Sequence, residues 1–322
     1  MSDIQIRALE HGDEAAVLEA YRDACGHARD AAAWRWAFTD HPVGRRVMLA
    51  VRAGTVLAQY AALPCVVWID GEAHVFGQVV DTLVRRSLRA GLGGSRLLLR
   101  TAEAFFAAHG GPDAVFYGWP VGHHQRLGER RLGYETTRSQ LALVRGLERA
   151  RLPRSPGGVT PLARFDEQVQ WLYERCASGF GASTVRDERW MNWRYVERPD
   201  VDYLRLGVRD ADGTLRGLLV GRVLEHGERT VGLVADWLVP PAEPAVGEAL
   251  LAAFGDHAAS AGAEALALWI PEWSPWFARL QDAGFRVVPT DWDLVTRSFR
   301  RALDPSFLRE SWWLQPGDSD LV

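Results

Sequence analysis

Residues 77 to 100 read GQVVDTLVRRSLRAGLGGSRLLLR, and the fold turns on how this stretch divides. Val79, Val80, Leu83 and Val84 form an apolar, β-branched run; Arg85 to Gly94 is rich in arginine and glycine; Leu97, Leu98 and Leu99 enter a helix. Strand, glycine loop and helix together make a place for a phosphate. The first N–H groups of a helix have no internal partner, they lie at the positive end of its dipole, and glycine lets an anion approach. Gly91, Gly93 and Gly94 remove the side chains, and Arg85, Arg86 and Arg89 add positive charge. A tight turn beside a solvated arginine face has the same composition.

At 322 residues the chain suits two domains, each able to bury its own core. Its formal charge of -4, with no block of like charge, argues against nucleic acid or an anionic membrane as a main partner. All 37 basic residues are arginine, so there is no lysine for Schiff-base chemistry, a Walker-type loop or a lysine base. Cys25, Cys65 and Cys176 are widely spaced and form no CxxC pair, which suggests neither a disulfide framework nor a zinc site and fits a reducing cytoplasm. The opening MSDIQIRALEHGDEAAV is acidic where a signal peptide is basic and then apolar, and no apolar run approaches membrane length. A soluble cytoplasmic protein is expected.

Ile4 to Leu9 alternates as a strand, Asp13 can cap a helix carrying Val17, Ala20 and Tyr21, and a second helix holds Trp34, Trp36 and Phe38 before His41-Pro42 ends it. Strands follow at 47–51, 56–63, 66–69 and 73–84, then a helix from about Ser95 to Ala108, a buried strand at 114–117 and a last strand near 140–144. Residues 150–161, with three prolines and two glycines, read as a linker.

Past the linker the pattern returns. WAFTDHP (36–42) matches WRYVERP (193–199), Gly54 matches Gly213, and DTLV (81–84) matches DWLV (236–239). YGWP (117–120) with Gly133 matches LWIP (268–271) with Gly284. Landmarks in one order and nearly one register make the chain a tandem repeat of one α+β domain. One landmark does not repeat: where the first half has Arg89 to Ser95, the second has PPAEPAVG (240–247). Prolines lack N–H donors and Glu243 repels an anion, so the second loop is a poor phosphate cradle.

On these residues the chain resembles the GNAT superfamily of acyl-CoA-dependent N-acyltransferases, in its bacterial two-domain form. The resemblance rests on the strand ending at Val84, the Arg/Gly loop, the Leu-rich helix, YGWP ahead of LGERRLGY, and the weaker copies in the second half. It implies two GNAT-like domains, each a mixed, mostly antiparallel sheet flanked by helices. The first spans 1–149 and binds acyl-CoA; 150–161 is the linker, 162–302 a degenerate second domain and 303–322 a tail.

The resemblance further implies that Leu83 and Val84 pair through their backbone with the pantetheine arm of acetyl-CoA or another short acyl-CoA. Arg89, Ala90, Gly91, Leu92, Gly93, Gly94 and Ser95 would wrap its pyrophosphate. Three family features are altered. Leu92 stands at the middle glycine of the loop, Glu129 and Leu280 replace the tyrosine that many members use to protonate the CoA thiolate, and Val121 to His124 replace an asparagine after the YGxP strand.

An amine must be neutral to attack a thioester, so a base, often acting through water, is the main need beyond positioning. Asp81 on the strand leading to the loop is the first candidate; capping a bulge or pairing with an arginine is its structural alternative, since Asp236 repeats it. His123, beside His124, titrates near neutral pH, and Tyr117 carries a hydroxyl that could reach the thiolate. Trp34, Trp36, Trp190 and Trp193 read as core, whereas Trp269, Trp273 and Trp276 with Glu272 could line a substrate groove. The tail SWWLQPGDSDLV either supplies carboxylates to a cleft or frays. The expected activity is acyl transfer, first acetyl, from CoA to a primary amine of a small molecule. The alternatives are an acyl carrier protein or aminoacyl-tRNA donor, the latter without a basic patch to support it, and a non-catalytic acyl-CoA binding module. No metal is expected.

Overall fold

A computed structural model describes residues 3–89, 92–148 and 158–320, with the backbone alone for Leu92 and His123. Ala90 and Gly91 of the expected phosphate loop, and 150–157 of the expected linker, lie outside the described residues.

In chain order the elements are β1 (Gln5–Ala8), α1 (Glu14–Cys25), α2 (Ala31–Phe38), β2 (Arg46–Arg52), β3 (Thr55–Ile69), β4 (Glu72–Val84), α3 (Leu92–His109), β5 (Asp113–Gly118), α4 (His123–Arg131) and β6 (Glu135–Gly146). They continue with β7 (Val159–Pro161), α5 (Gln168–Ala177), β8 (Ala182–Thr184), α6 (Glu188–Tyr195), β9 (Leu204–Arg209), β10 (Leu215–His226), β11 (Arg229–Leu238), α7 (Pro244–Ser260), β12 (Ala265–Leu268), α8 (Pro275–Asp282), β13 (Arg286–Ser298), α9 (Pro305–Ser311) and β14 (Trp312–Trp313). This is α+β architecture.

The described residues of 1–67, 73–138 and 292–309 form one compact unit, and those of 68–72, 139–291 and 310–322 form another. In the first, the strand order is β1-β2-β3-β4-β5-β13. β4 and β5 run parallel, while β1–β2, β2–β3 and β5–β13 are antiparallel. In the second, the order is β7-β9-β10-β11-β12-β6, with β11 and β12 parallel and the other pairs antiparallel. The same mixed, mostly antiparallel sheet is thus built twice. Each closes on a strand from the other half of the sequence: Val295–Ser298 of β13 pair with β5, and Leu143–Gly146 of β6 pair with β12. β13 and β6 are 13 and 12 residues long, about 40 Å each.

The repeat extends to the helix caps. Asp30 accepts from the Ala33 N–H at 2.8 Å, and Asp187, 157 residues on, accepts from the Trp190 N–H at 2.7 Å. The tryptophans after these caps are core: Trp34, Trp36, Trp190 and Trp193 are all buried. In the first unit the core gathers Leu97, Leu98, Phe105 and Phe106 of α3 over Tyr60 and Phe116. In the second it gathers Leu250, Leu251 and Phe254 of α7 with Trp237, Trp276 and Phe285.

Four local readings differ from the structure. Pro64 does not divide β3, which runs unbroken from Thr55 to Ile69. Asp13 makes no side-chain cap to α1, because its carboxylate is taken in two hydrogen bonds by Arg7, at 2.6 and 2.9 Å. Val159–Pro161, at the end of the stretch read as a linker, form β7 against β9. Trp269 and Trp276 are buried rather than lining a groove, and the Trp276 indole donates to the Val239 carbonyl at 2.8 Å.

Candidate active site

The parallel ladder of β4 and β5 begins at Val75↔Asp113 and ends at Gln78↔Tyr117. β4 then runs on through Val79 to Val84, so the two strands part at Gln78 and Tyr117 and leave a fork. At the fork a residue's backbone polar groups on the side once facing β5 need another partner. Thr82, within this stretch, has a buried hydroxyl without a hydrogen-bond partner.

Asp81 lies three residues past the end of the ladder, about 10 Å along the strand from Gln78. Its φ of 50° puts it in the left-handed region, where a non-glycine residue costs on the order of 1–3 kcal/mol and persists because the surroundings hold it. Two contacts do so. Arg29 Nη1 is ion-paired with Asp81 Oδ2, and Gln59 Nε2 donates to the Asp81 carbonyl at 3.1 Å. Gln59 is 1% exposed and its own carbonyl oxygen has no partner, while the Arg29 guanidinium also faces the rings of Tyr21 and Phe38 at 5.6 Å. Arg29 and Gln59 were not among the sequence candidates. The signal for Arg29 was present in the repeat, because Arg29-Asp30 and Arg186-Asp187 stand at the same 157-residue offset ahead of the two tryptophan helices.

Tyr117 sits at the fork but is 2% exposed, with its hydroxyl 3.8 Å from the Cys65 sulfur and its ring edge-on to Trp119. His123 opens α4 after Gly122, whose φ is 58°, and its side chain lies outside the described residues; neighbouring His124 is exposed. The structure therefore brings Asp81 together with Arg29 and Gln59, while Tyr117 lies on the other side of the fork at the end of the ladder.

Leu83 and Val84 are buried and close β4. Beyond them a 3-10 turn, Arg86–Leu88, leads to α3, which begins at Leu92, three residues ahead of the expected Ser95. The N–H groups of Leu92, Gly93 and Gly94 thus belong to the first turn, where helix geometry supplies no acceptor. The two glycines differ. A side chain at Gly93 would meet nothing within 4 Å, whereas a Cβ at Gly94 would stand 2.4 Å from the Leu88 carbonyl oxygen. Gly94 is required by packing, and Gly93 leaves the approach to the helix end open. Arg89 is exposed and ties the loop down by donating to the carbonyls of Val84 and Ala24 at 3.0 and 2.8 Å. Ser95 is half-buried.

The second unit repeats the fork and closes its helix end. β11 pairs with β12 only from Val231↔Ala265 to Leu233↔Ala267, then continues to Leu238. At the start of α7, however, stands Pro244 with Glu243 as N-cap. Glu243 is ion-paired with Arg175 and, at 2.9 Å, with Arg216. The Glu243 side chain makes no cap hydrogen bond to α7, but it places a carboxylate held by two arginines beside a proline-led helix start, where the first unit has open glycine.

Among the described residues no cluster of histidine, cysteine and acidic side chains could hold a metal ion, and no helix is long and apolar enough to cross a membrane.

No family model and no curated protein matches the chain. Solved structures do. A conserved protein from Enterococcus faecalis V583 described as a probable N-acyltransferase aligns at 15% identity with a TM-score of 0.68, covering 92% of this chain and 73% of that one. A GCN5-related N-acetyltransferase from Anabaena variabilis aligns at 12% identity with the same score and coverage. The Saccharomyces cerevisiae N-myristoyltransferase, solved with bound myristoyl-CoA, aligns at 12% identity with a TM-score of 0.60, over 92% of this chain and 82% of that one. At these identities the likeness is one of fold.

Proposed function

The chain has the GNAT fold of N-acyltransferases, and from that premise we propose that it transfers an acyl group, acetyl in the first instance, from CoA to a primary amine of a small molecule. The first unit carries the reaction. The observation behind this reading is the asymmetry of the two helix ends: open glycine at Gly93 against the Glu243 carboxylate held by Arg175 and Arg216.

In this reading the Leu92, Gly93 and Gly94 N–H groups take the pyrophosphate, with Arg86, Arg89 and Arg96 adding charge around it. The pantetheine arm lies along β4 from Thr82 to Val84, where its amides meet strand backbone. The amine nitrogen attacks the thioester carbonyl, a C–N bond forms, and the C–S bond breaks. Asp81 takes the ammonium proton through a water so that the nitrogen attacks neutral. Arg29 holds the carboxylate in place as a positioning residue. The nitrogen sheds its second proton as the C–S bond breaks, and through water that proton reaches the departing thiolate; a thiol with an ordinary pKa of about 8.5 leaves readily in this way, so the reaction does not require the missing tyrosine at Glu129. The buried Tyr117 hydroxyl and His123 remain secondary candidates for that proton.

Titration calorimetry with acetyl-CoA and CoA tests the donor half of the proposal. Binding that disappears in Gly93→Glu supports it, and equal affinity in that variant sinks it. Release of free CoA thiol against a panel of primary amines tests the acceptor half.

A further inference from the structure

Residues 312–319 are built into the second unit. Every residue from Trp312 to Ser319 is buried. Trp312 and Trp313 add a parallel strand to β8, and Phe180 stacks on Trp313 with ring centroids 4.3 Å apart.

After the tryptophans the tail turns polar. The Gln315 side-chain amide grips both backbone groups of Trp237: the Trp237 N–H donates to Oε1 at 2.6 Å, and Nε2 donates to the Trp237 carbonyl at 3.0 Å. Trp237 lies on β11 beyond Leu233, where the ladder to β12 has ended. The N–H and C=O of one strand residue point to the same side, and a pair of groups engaged by Gln315 is turned away from β10. Gln315 therefore stands where a next strand would be, in the fork of the second unit.

The following residues fix it there. Gly317 packs so closely that a Cβ would fall within 1.8 Å of the Tyr195 hydroxyl and 2.9 Å of the Ala235 carbonyl. Arg194 donates to the carbonyls of Gly317 and Ser319 at 3.0 and 2.8 Å. Asp318 Oδ2 accepts from the Gln315 N–H and from Arg186, each at 2.9 Å.

In repeat register Trp237 is the counterpart of Thr82, because Asp236 matches Asp81. The tail thus presents an amide to the second fork at the position where, on the reading above, the acyl donor presents its own amides to the first. We infer that residues 312–319 are a tethered ligand of the second unit: its fork is a binding site for an amide-bearing segment, and this chain fills it with the Gln315 side chain and the 3-10 turn Pro316–Asp318 that follows. The occupant rests on the contacts of Gln315, Gly317 and Asp318 alone. The corollary, one acyl-CoA per chain, rests on the proposed function as well.

Complementation tests the occupant. The chain is ended at Ser311, and the peptide WWLQPGDSD (residues 312–320) is added in trans. The expected result is 1:1 binding that raises the melting temperature of the shortened chain, with at least a tenfold loss of affinity when the glutamine of the peptide is alanine. Equal binding of the two peptides overturns the inference. Should the shortened chain not fold, hydrogen exchange on the full chain decides instead. The Trp237 amide is expected to be protected, and to exchange at least tenfold faster in Gln315→Ala while the rest of β11 keeps its protection; a Trp237 amide that is already fast in the unaltered chain overturns the inference. Calorimetry separates the two readings. Two equivalents of CoA per unaltered chain overturn the tethered ligand, whereas none at all overturns the donor reading of the first unit and leaves the peptide and exchange results to judge the tail.

Discussion

Arg29 is ion-paired with Asp81 in the first unit as Arg186 is with Asp236, 3.2 Å apart, in the second. In both, the arginine immediately precedes the aspartate that caps a tryptophan helix, and the carboxylate lies past the end of the parallel ladder. The pair is part of the fold's plan, so its presence alone does not make Asp81 catalytic. Its setting differs between the copies. Asp236 is 0% exposed and shares Arg186 with the tail's Asp318, and the Tyr195 hydroxyl donates to it at 2.8 Å. Asp81 keeps 12% of its side chain exposed, at a fork where the proposed substrate would lie.

Asp81→Asn separates the two roles. Asparagine tolerates the φ of 50° and stays close in shape, so folding and CoA affinity should persist within about twofold. Turnover should fall by on the order of 10²-fold or more, the usual contribution of a general base. Unchanged turnover in steady-state assays removes Asp81 as the base.

The glycines of the loop should respond in opposite ways. Gly94→Ala pushes a methyl group against the Leu88 carbonyl and should lower stability by about 1–3 kcal/mol, read from urea unfolding. Gly93→Glu meets no obstacle, so its melting temperature should hold while CoA binding is lost. A Gly93→Glu protein that is merely unfolded would say nothing about phosphate, which is why both readouts are needed.

Arg186 has 0% side-chain exposure and sits between two carboxylates with equally buried side chains. Burial of the Asp236 carboxyl pushes its pKa up, against the Arg186 charge that draws it down. Arg186→Met would remove the buried guanidinium that both carboxylates share and should cost about 3–5 kcal/mol, measured by chemical unfolding of the full chain. A loss below about 1 kcal/mol would mean that the cluster rearranges or takes up protons.

His109, at the end of α3, has its pKa lowered from 6.5 by burial and then by the nearby Arg46 charge. The unfolded chain therefore binds the proton more readily than the folded one. Sign follows: the contribution of His109 is fully present above about pH 6.5 and drains away as pH falls through the lower folded value. His109→Gln should flatten the melting temperature across pH 7 to 5 relative to the unaltered chain, as differential scanning calorimetry would register.

Much of this molecule was legible in the one-dimensional text. Periodicity and turn residues located strands and helices, and landmarks such as WAFTDHP and WRYVERP recur in the two halves, because local propensity and capping act over a few residues. The same text marked Gly93 and Glu243 as opposites, since glycine, proline and charge act at a helix end wherever the helix lies. What tertiary structure alone decided is which distant groups meet. Arg29 reaches Asp81 across 52 residues, Gln315 reaches Trp237 across 78, Leu143–Gly146 of β6 pair with β12, and Val295–Ser298 of β13 pair with β5. Such pairings depend on where a strand loses its neighbour and leaves backbone groups to be satisfied, and that is fixed only when the whole sheet is assembled.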